Sequence, residues 1–579
     1  LDRVRIALVT PFAWSQPHDV NEHVAGLAQE LRRRGHSVTV LAPSNRARDL
    51  AAGRRALLGA FDEPPELIAI GPAVRISRRS RMGVPVGVRA SLSLALARGR
   101  FDLVHGFEPG LPSLSYLALR DSSALTVATF FSPERLGYPP GRAQRERLMA
   151  RVDALLATSE EVANAAAARF PGRYELVPQG IDPELFAPAE KRKLVVMEWR
   201  QTERPLLRAL VRELAQQPGW ELVLLRTRIP ASRPAVSPKL RGRMRVRTAR
   251  TGAARAELLR AASIFVPAAE GLTRLVAEAQ TAGVAIAAPL GRAEQPELAA
   301  AETARMIEDQ RFRARRAAES LAAARSETAA ALADRVEHVY ERVASLRRSS
   351  TTRPPFEERD WIVADLHLHT SWSHDCSIDV DELLDYAEAK GLGAIAVTDH
   401  NVFGGAQEAV ERARGRRLIV IPGEEVKTAE EGEVIGLFLR EEIPRGMSFG
   451  DTIAAIRAQG GLVYVPHPFD RMHAIPGPAT LHRHLAEIDV FEVYNARLLF
   501  EAYNEEALRF ARKYNLTPGA GSDAHVLAGV GTGTVRMRRF SGPEEFLVSL
   551  HDAEVLRRPK SLVYLQGLKW MAQAKERVR

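Results

Sequence analysis

A single cysteine, Cys376, stands in 579 residues. No internal disulfide can form, and one thiol in a chain of this size fits a reducing compartment, so a cytoplasmic location is expected. Cys376 follows Asp375 and reads as a packing residue before it reads as a nucleophile. Aromatic residues make up only 6%, and no Lys/Arg-rich run is interleaved with them, which argues against a nucleic-acid surface. No uninterrupted apolar stretch reaches the roughly 18 residues of a bilayer span, and no basic, apolar, small-residue leader opens the sequence. No membrane span is expected.

What is present is ordinary for folded protein: 46% hydrophobic and 26% charged residues. The length is a soft prior for about three domains. A net charge of +10 suits a phosphate-bearing partner, and is explained more simply by an Arg- and Ala-rich composition. Residues 3–9 read as a buried parallel strand, followed by a helix over about 21–34 and short apolar strands at 37–42, 101–105, 125–129 and 154–158. A second alternation runs from about 193 to 346, with strands at 194–197, 221–225, 245–247 and 264–266 and long helices over 311–346. Both predict doubly wound parallel sheets. Residues 347–359 have no periodicity and carry two prolines, as a linker does. The expected division is 1–188, 189–346, linker 347–359, and 360–579.

From Asp360 onward the apolar runs end in acids and imidazoles. Asp365, His367 and His369 alternate along one strand and so face one side. Asp399-His400 follows the run 395–397. Glu424 follows 418–421, His467 follows 462–465, Tyr494-Asn495 ends 490–493, and Asp523 and His525 follow a segment from Thr517. Residues at the carboxyl ends of successive parallel strands converge on the top of a barrel. A donor set of imidazole and carboxylate without thiolate suits Zn, Mn or Fe in hydrolysis rather than a closed structural zinc. Glu424 is the candidate bridge between two metals, and such a cluster activates water and neutralises a phosphoryl group together. Lys427, Arg471 and Arg497 each follow a strand end that carries these residues and could meet a phosphate. Asn495 reads as a supporting donor or a substrate contact.

The pieces Asp365-Leu-His367-Leu-His369-Thr370, Asp375, Thr398-Asp399-His400-Asn401, Gly423-Glu424-Glu425, His467-Pro468 and Ser522-Asp523-Ala524-His525 resemble the polymerase-and-histidinol-phosphatase (PHP) domain. That family is made of metal-dependent phosphoesterases built on a distorted (β/α)7 barrel. The resemblance spans about 360–550. It implies two or three divalent metals (Zn, Mn or Fe) held by His367, His369, Asp375, His400, Glu424, His467, Asp523 and His525. Asp523, His400 and Glu424 would serve the chemistry, and a phosphorylated small molecule, sugar or nucleotide would be the partner. Two positions depart from the pattern: His374-Asp375-Cys376 stands for Ser-Asp-Gly, and Glu433 stands where many members carry a histidine ligand.

The first half resembles family-4-type glycosyltransferases of the GT-B fold, two Rossmann-like domains over about residues 3–346. Gly35-His36-Ser-Val-Thr-Val-Leu-Ala-Pro, Val177-Pro178-Gln-Gly180-Ile-Asp182-Pro-Glu-Leu-Phe186 and Glu270-Gly271…Glu278 carry the likeness. The resemblance implies that Glu270 and Glu278 hold a nucleotide-sugar, with Arg200, Arg204 or Arg274 as substitutes for the missing basic element. Several parts of that chemistry are replaced. His18-Asp19 stands for a glycine pair, Phe131 for the active-site histidine, and Thr273 for a glycine of the donor loop. The expected function is metal-dependent phosphate-ester hydrolysis fused to a degenerate transferase-like module. The alternative is an active nucleotide-sugar-dependent transferase with an accessory phosphatase.

Overall fold

The computed structural model describes residues 3–59, 65–75, 81–82, 88–227, 237–268, 273–287, 296–348, 358–429, 431–471 and 475–558. The chain divides into two compact units, Leu1–Val343 and Ala344–Arg579.

The first unit holds two all-parallel sheets. One has seven strands in the order Leu67–Ala69, Ser37–Ala42, Arg5–Val9, Leu103–Phe107, Leu125–Phe130, Ala154–Ala157, Tyr174–Leu176. The other has five, ordered Met244–Thr248, Glu221–Arg226, Leu194–Glu198, Ile264–Val266, Ala285–Ile286. In each sheet the chain starts in the middle, builds outward on one side and then crosses to the other. This is the Rossmann pattern, with its crevice beside the first strand. The central runs are buried on both faces, which is why they read as continuous apolar stretches rather than alternations. Together the two sheets form a GT-B-like module.

The long helices expected over 311–346 are Gln310–Ala324 and Ala329–Ala344. The break has a tertiary cause. The backbone between them turns aside to pair with Ile181, whose N–H donates to Glu327 O (2.7 Å) and whose O accepts from Ala329 N (3.0 Å).

The second unit is one nine-stranded sheet. In chain order its strands are β1 (Trp361–Leu368), β2 (Ala394–Val397), β3 (Ile419–Lys427), β4 (Glu433–Leu437), β5 (Leu462–Val465), β6 (Val490–Asn495), β7 (Thr517–Gly521), β8 (Gly533–Arg538) and β9 (Glu554–Arg557). The spatial order is β7-β6-β5-β4-β3-β2-β1-β8-β9. β4 runs antiparallel to both β3 and β5, and β8 runs antiparallel to β1. The first seven strands curl into a nearly closed barrel. Asp523 N–H donates to His367 O (2.9 Å), and a lone bridge joins Leu368 to Ala524. Asp365 adds to the closure: its carboxylate accepts from Ser522 N and Gly531 N, both at 2.9 Å. Residues 349–357 of the expected linker lie outside the described residues, but Arg347 and Arg348 hydrogen-bond to Lys513 and Tyr514 of the second unit.

Candidate metal centre

Alternation on β1 sends Leu366 into the apolar core and turns His367 and, just past the strand, His369 to the other side. Both imidazoles are fully buried. The other members of the cluster come from loops at the carboxyl ends of β1, β2, β5 and β7 and from the paired strands β3 and β4.

Glu425 is the hub. One carboxylate oxygen lies 3.3 Å from His367 Nε2, 3.5 Å from His369 Nε2 and 3.0 Å from His400 Nδ1. The other is 3.0 Å from His467 Nε2. Asp523 reaches His369 Nε2 at 3.4 Å and His525 Nδ1 at 3.4 Å. Asp375 meets His525 Nε2 at 3.0 Å and His400 Nε2 at 3.8 Å, and Glu433 approaches His467 at 3.8 Å. Four overlapping groups offer donor atoms within 4.8 Å of one another: His369/His400/His525, His367/His467/Asp523, His367/His369/Glu425 and His400/Glu425/Glu433.

The expectation for Glu424 is corrected by one residue. β3 does not end at Ile421 but runs on to Lys427, so consecutive side chains fall on opposite faces. Glu425 faces the cluster. Glu424 faces away and accepts from Ile443 N–H at 2.8 Å, and burial raises its carboxyl to about 7. The structure brings together His367, His369, Asp375, His400, Glu433, His467, Asp523 and His525, with Glu425 at the centre.

A residue the sequence reading did not single out is Glu492, on β6. It takes His367 Nδ1 at 3.1 Å, Tyr464 Oη at 2.8 Å, His467 N at 2.7 Å and Asn495 Nδ2 at 3.0 Å. It fixes the orientation of His367, as a carboxylate behind an imidazole ligand does. The signal that could have found it is its inward position on β6, three residues before Asn495. Asn495 also donates to Asp523 at 3.3 Å, so it supports the acids. Arg497 lies 3.1 Å from Asp523 and 3.0 Å from His525. Lys427 and Arg471 are exposed.

The backbone is forced here. His467 and Asp523 have φ of 25° and 50°, in the left-handed region that non-glycine residues rarely occupy, a strain that concentrates at functional sites. Gly521 lies so close to β1 that a Cβ would stand 2.2 Å from His367 Cβ.

The residues fit divalent metals. Burial opposes charge on Glu425, but His367 and His400 hold it well below the usual carboxylate range. Asp523, equally buried, is held down by Arg497 and His367. Burial and the neighbouring His525 keep His369 neutral, and its Nε2 has no hydrogen-bond partner although two carboxylates face it. A buried lone pair without a donor, ringed by anionic oxygens, is the environment a cation completes.

In the first unit, Glu278 is fully buried and bound by Arg255 through two 2.6 Å contacts. Arg255 also holds Glu22 at 2.5 Å, and Arg274 lies 3.4 Å from Glu278. Arg200 pairs with Glu198 at 3.4 Å. Glu270 lies outside the described residues. Phe131 packs edge-on against the buried His23, ring centres 4.8 Å apart.

A nearly closed β/α barrel with an imidazole–carboxylate cluster at its strand ends defines a barrel domain with a candidate metal site, and in the chain it follows a double Rossmann-like module. Residues 365–513 match the PHP domain model, 501–555 the PHP-associated model, and 20–185 that of glycosyltransferase family 4. The chain thus carries a PHP-type region in its second unit and a family-4 glycosyltransferase-type region in its first. An uncharacterized protein of Methanocaldococcus jannaschii is 33% identical over 212 residues, 34% of this chain and 84% of that protein. A phosphatidyl-myo-inositol mannosyltransferase of Propionibacterium freudenreichii subsp. shermanii is 28% identical over 225 residues, 38% of this chain and 56% of that enzyme. The solved sucrose-phosphate synthase of Thermosynechococcus elongatus aligns over 59% of this chain and 100% of its own, at 16% identity and a TM-score of 0.42.

Proposed function

We propose that the second unit is a metal-dependent phosphoesterase. The observation that carries the reading is the closed ring of donors around Glu425, with His369 Nε2 left without a hydrogen-bond partner inside it. His367, His369, His400, Glu425, Glu433, His467, Asp375, Asp523 and His525 would hold two or three divalent ions. Bound there, the ions would lower the pKa of water and offset the phosphoryl charge. The chain's own part is orientation and proton handling. Glu492 holds His367 by its Nδ1, and Asn495 and Arg497 fix the two oxygens of Asp523. Asp523 would orient the attacking water as the new P–O bond forms, and the proton that this water gives up would pass through solvent at the open edge to the departing alcohol oxygen as the old P–O bond breaks.

The test is elemental analysis of the purified chain, followed by hydrolysis of phosphomonoesters with added Mn or Zn, with and without chelator. Chelator-sensitive release of phosphate is expected. A metal-loaded chain inert on a broad panel would overturn the reading.

A second reading, a nucleotide-sugar-dependent transferase in the first unit, is supported by the family-4 match and the mannosyltransferase relative. Against it stand Phe131 in place of a histidine and the occupation of Glu278 by Arg255. Calorimetry with GDP-mannose and UDP-glucose decides it: binding of either revives the reading, and silence on both removes it.

A further inference from the structure

Behind the imidazoles of the cluster lies a second layer of polar side chains, Thr370, Ser373 and Asp399, all of them buried. Thr370 and Ser373 stand in the loop after β1, and Asp399 lies just past β2. The Asp399 carboxylate takes three donors: Thr370 N and Thr370 Oγ1 at 2.7 Å each, and Ser373 Oγ at 2.6 Å. The start of the helix Gly404–Arg412 closes over it. A Cβ on Gly405 would stand 2.1 Å from Asp399 Oδ2, so no larger residue fits there. The main chain of Asp399 is engaged as well, its O accepting from Glu425 N at 3.1 Å.

The hydroxyl of Ser373 has three polar neighbours. Asp399 Oδ1 is at 2.6 Å, His400 N at 3.1 Å and His369 Nδ1 at 3.3 Å. A hydroxyl has one proton to give and two lone pairs to fill. An ionised carboxylate only accepts, so the serine proton lies on the shortest contact, toward Asp399. The His400 N–H can only donate, and it fills one lone pair. The other lone pair faces His369 Nδ1, which must therefore carry the hydrogen. A neutral imidazole has one N–H, so Nε2 is left as the bare lone pair. That atom lies 3.5 Å from Glu425 and 3.4 Å from Asp523 and has no hydrogen-bond partner. Without the serine, those two carboxylates would draw the hydrogen to Nε2, and the ligand atom would be lost.

We infer that Ser373 and Asp399 are positioning residues that hold His369 in the Nδ1–H tautomer and so fix Nε2 as its metal-binding atom. A serine hydroxyl stands here between carboxylate and imidazole, where the two commonly meet directly. Glu492 performs the direct form of the task for His367, whose Nδ1 it meets at 3.1 Å. The assignment rests on the metal centre proposed above and not on its hydrolytic use.

The experiment measures metal binding by the full chain, stripped with chelator and titrated with Co2+ against a chromophoric competitor. It compares the wild type, Ser373→Ala, Ser373→Thr, Asp399→Leu and the double variant Ser373→Ala with Asp399→Leu. Partners behind a metal-binding histidine are worth roughly 10–100-fold in metal affinity. Ser373→Ala should weaken one position by about that factor and change the Co2+ d–d band that reports its coordination. Ser373→Thr keeps the hydroxyl and should restore most of both. Asp399→Leu frees the serine proton to turn toward His369 Nδ1 and should weaken the same position with Ser373 intact. Because the two residues act on one proton, the double variant should lose no more than the weaker-binding single variant. The melting temperature of the metal-free chain controls for packing. Wild-type affinity in Ser373→Ala, additive losses in the double variant, or losses that simply follow the metal-free melting temperature overturn the inference. Phosphate release from 4-nitrophenyl phosphate by the Mn-loaded samples separates the two levels. The expected affinity pattern without hydrolysis keeps the positioning role and sinks the phosphoesterase reading. Hydrolysis by a chain whose metal affinity is indifferent to Ser373 keeps the activity and sinks the positioning role. A wild type that takes up no ion sinks both.

Discussion

At the scale of single residues, the adjacent pair Glu424-Glu425 shows how little separates a site residue from a structural one. The residue types and their order were legible: the sequence placed His367, His369, His400, His467, Asp523 and His525 beside one another before any coordinate did. Which of two neighbouring acids faces inward was not, because it depends on where β3 ends, and Pro422-Gly423 reads as a strand terminus although pairing with β4 carries the strand to Lys427. The consequence is testable. Glu425→Gln removes the anionic hub and should abolish metal retention at micromolar metal, whereas Glu424→Gln should retain the wild-type metal content by elemental analysis. A reversed pattern would restore Glu424 to the centre. His23 offers a second residue-scale outcome, in the first unit. It is wholly buried, and burial lowers its pKa to about 3, with Arg274 adding to the shift. The unfolded chain binds a proton at about 6.5 while the folded one does not. Stability contributed by neutral His23 is therefore full above the unfolded value and is lost as pH falls toward the folded one. Between pH 6.5 and 5 the loss should reach about 2 kcal/mol. Urea unfolding followed through Trp199 and Trp220 fluorescence measures it, and His23→Gln should flatten the slope.

At the scale of elements, the parallel strands were legible because burial on both faces makes them continuous apolar runs, and their order followed from the alternation with helices. The antiparallel turn of β4 was not, because alternation along Glu433–Leu437 is the same whichever way a strand runs. Where the break between Gln310–Ala324 and Ala329–Ala344 falls was also hidden, because its cause is a long-range pairing with Ile181 and not a local breaker. Helix-to-helix charge pairing was likewise out of reach of the sequence. The helices Asp19–Arg33, Gly252–Ala261 and Thr273–Thr281 meet through Glu22, Arg255 and Glu278. A buried ion pair of this kind is costly to break and cheap to replace. Arg255→Met leaves Glu278 buried without its main partner and should cost about 3–5 kcal/mol in urea unfolding, whereas Arg255→Met with Glu278→Leu should come close to wild type. Equal destabilisation in both variants would show that the helices depend on the charges themselves. The same brace bears on function: with both oxygens of Glu278 held by Arg255, a donor sugar would have to displace a bidentate guanidinium to use it.

At the scale of the whole molecule, the chain is two units with separate cores, and among the described residues no helix is long and apolar enough to cross a membrane. The cores of the first unit gather around residues such as Phe130 and Leu210, and that of the second around Leu366 and Tyr464. In the sequence, the lack of periodicity and the two prolines after residue 346 suggested a linker, but composition could not say which unit the flanking residues serve. Arg348 decides it locally. Its N–H donates to Tyr514 O at 3.0 Å, its O accepts from Asn515 Nδ2 at 2.9 Å, and its guanidinium reaches Ile488 O. These bonds tie the entering chain to the loop between the helix Glu501–Tyr514 and β7, immediately upstream of the strand that delivers Asp523. A fragment of residues 344–579 should therefore fold and hold metal as the full chain does. A fragment of residues 360–579, lacking Arg347 and Arg348, should melt several degrees lower, because each lost hydrogen bond is worth about 1 kcal/mol and a domain of this size shifts by roughly 2–4 °C per kcal/mol. Calorimetry of the two fragments measures the difference. Equal melting temperatures would mean that the residues before 360 only tether the barrel, and a metal-free, unfolded 344–579 fragment would mean that the second unit depends on the first for its own fold.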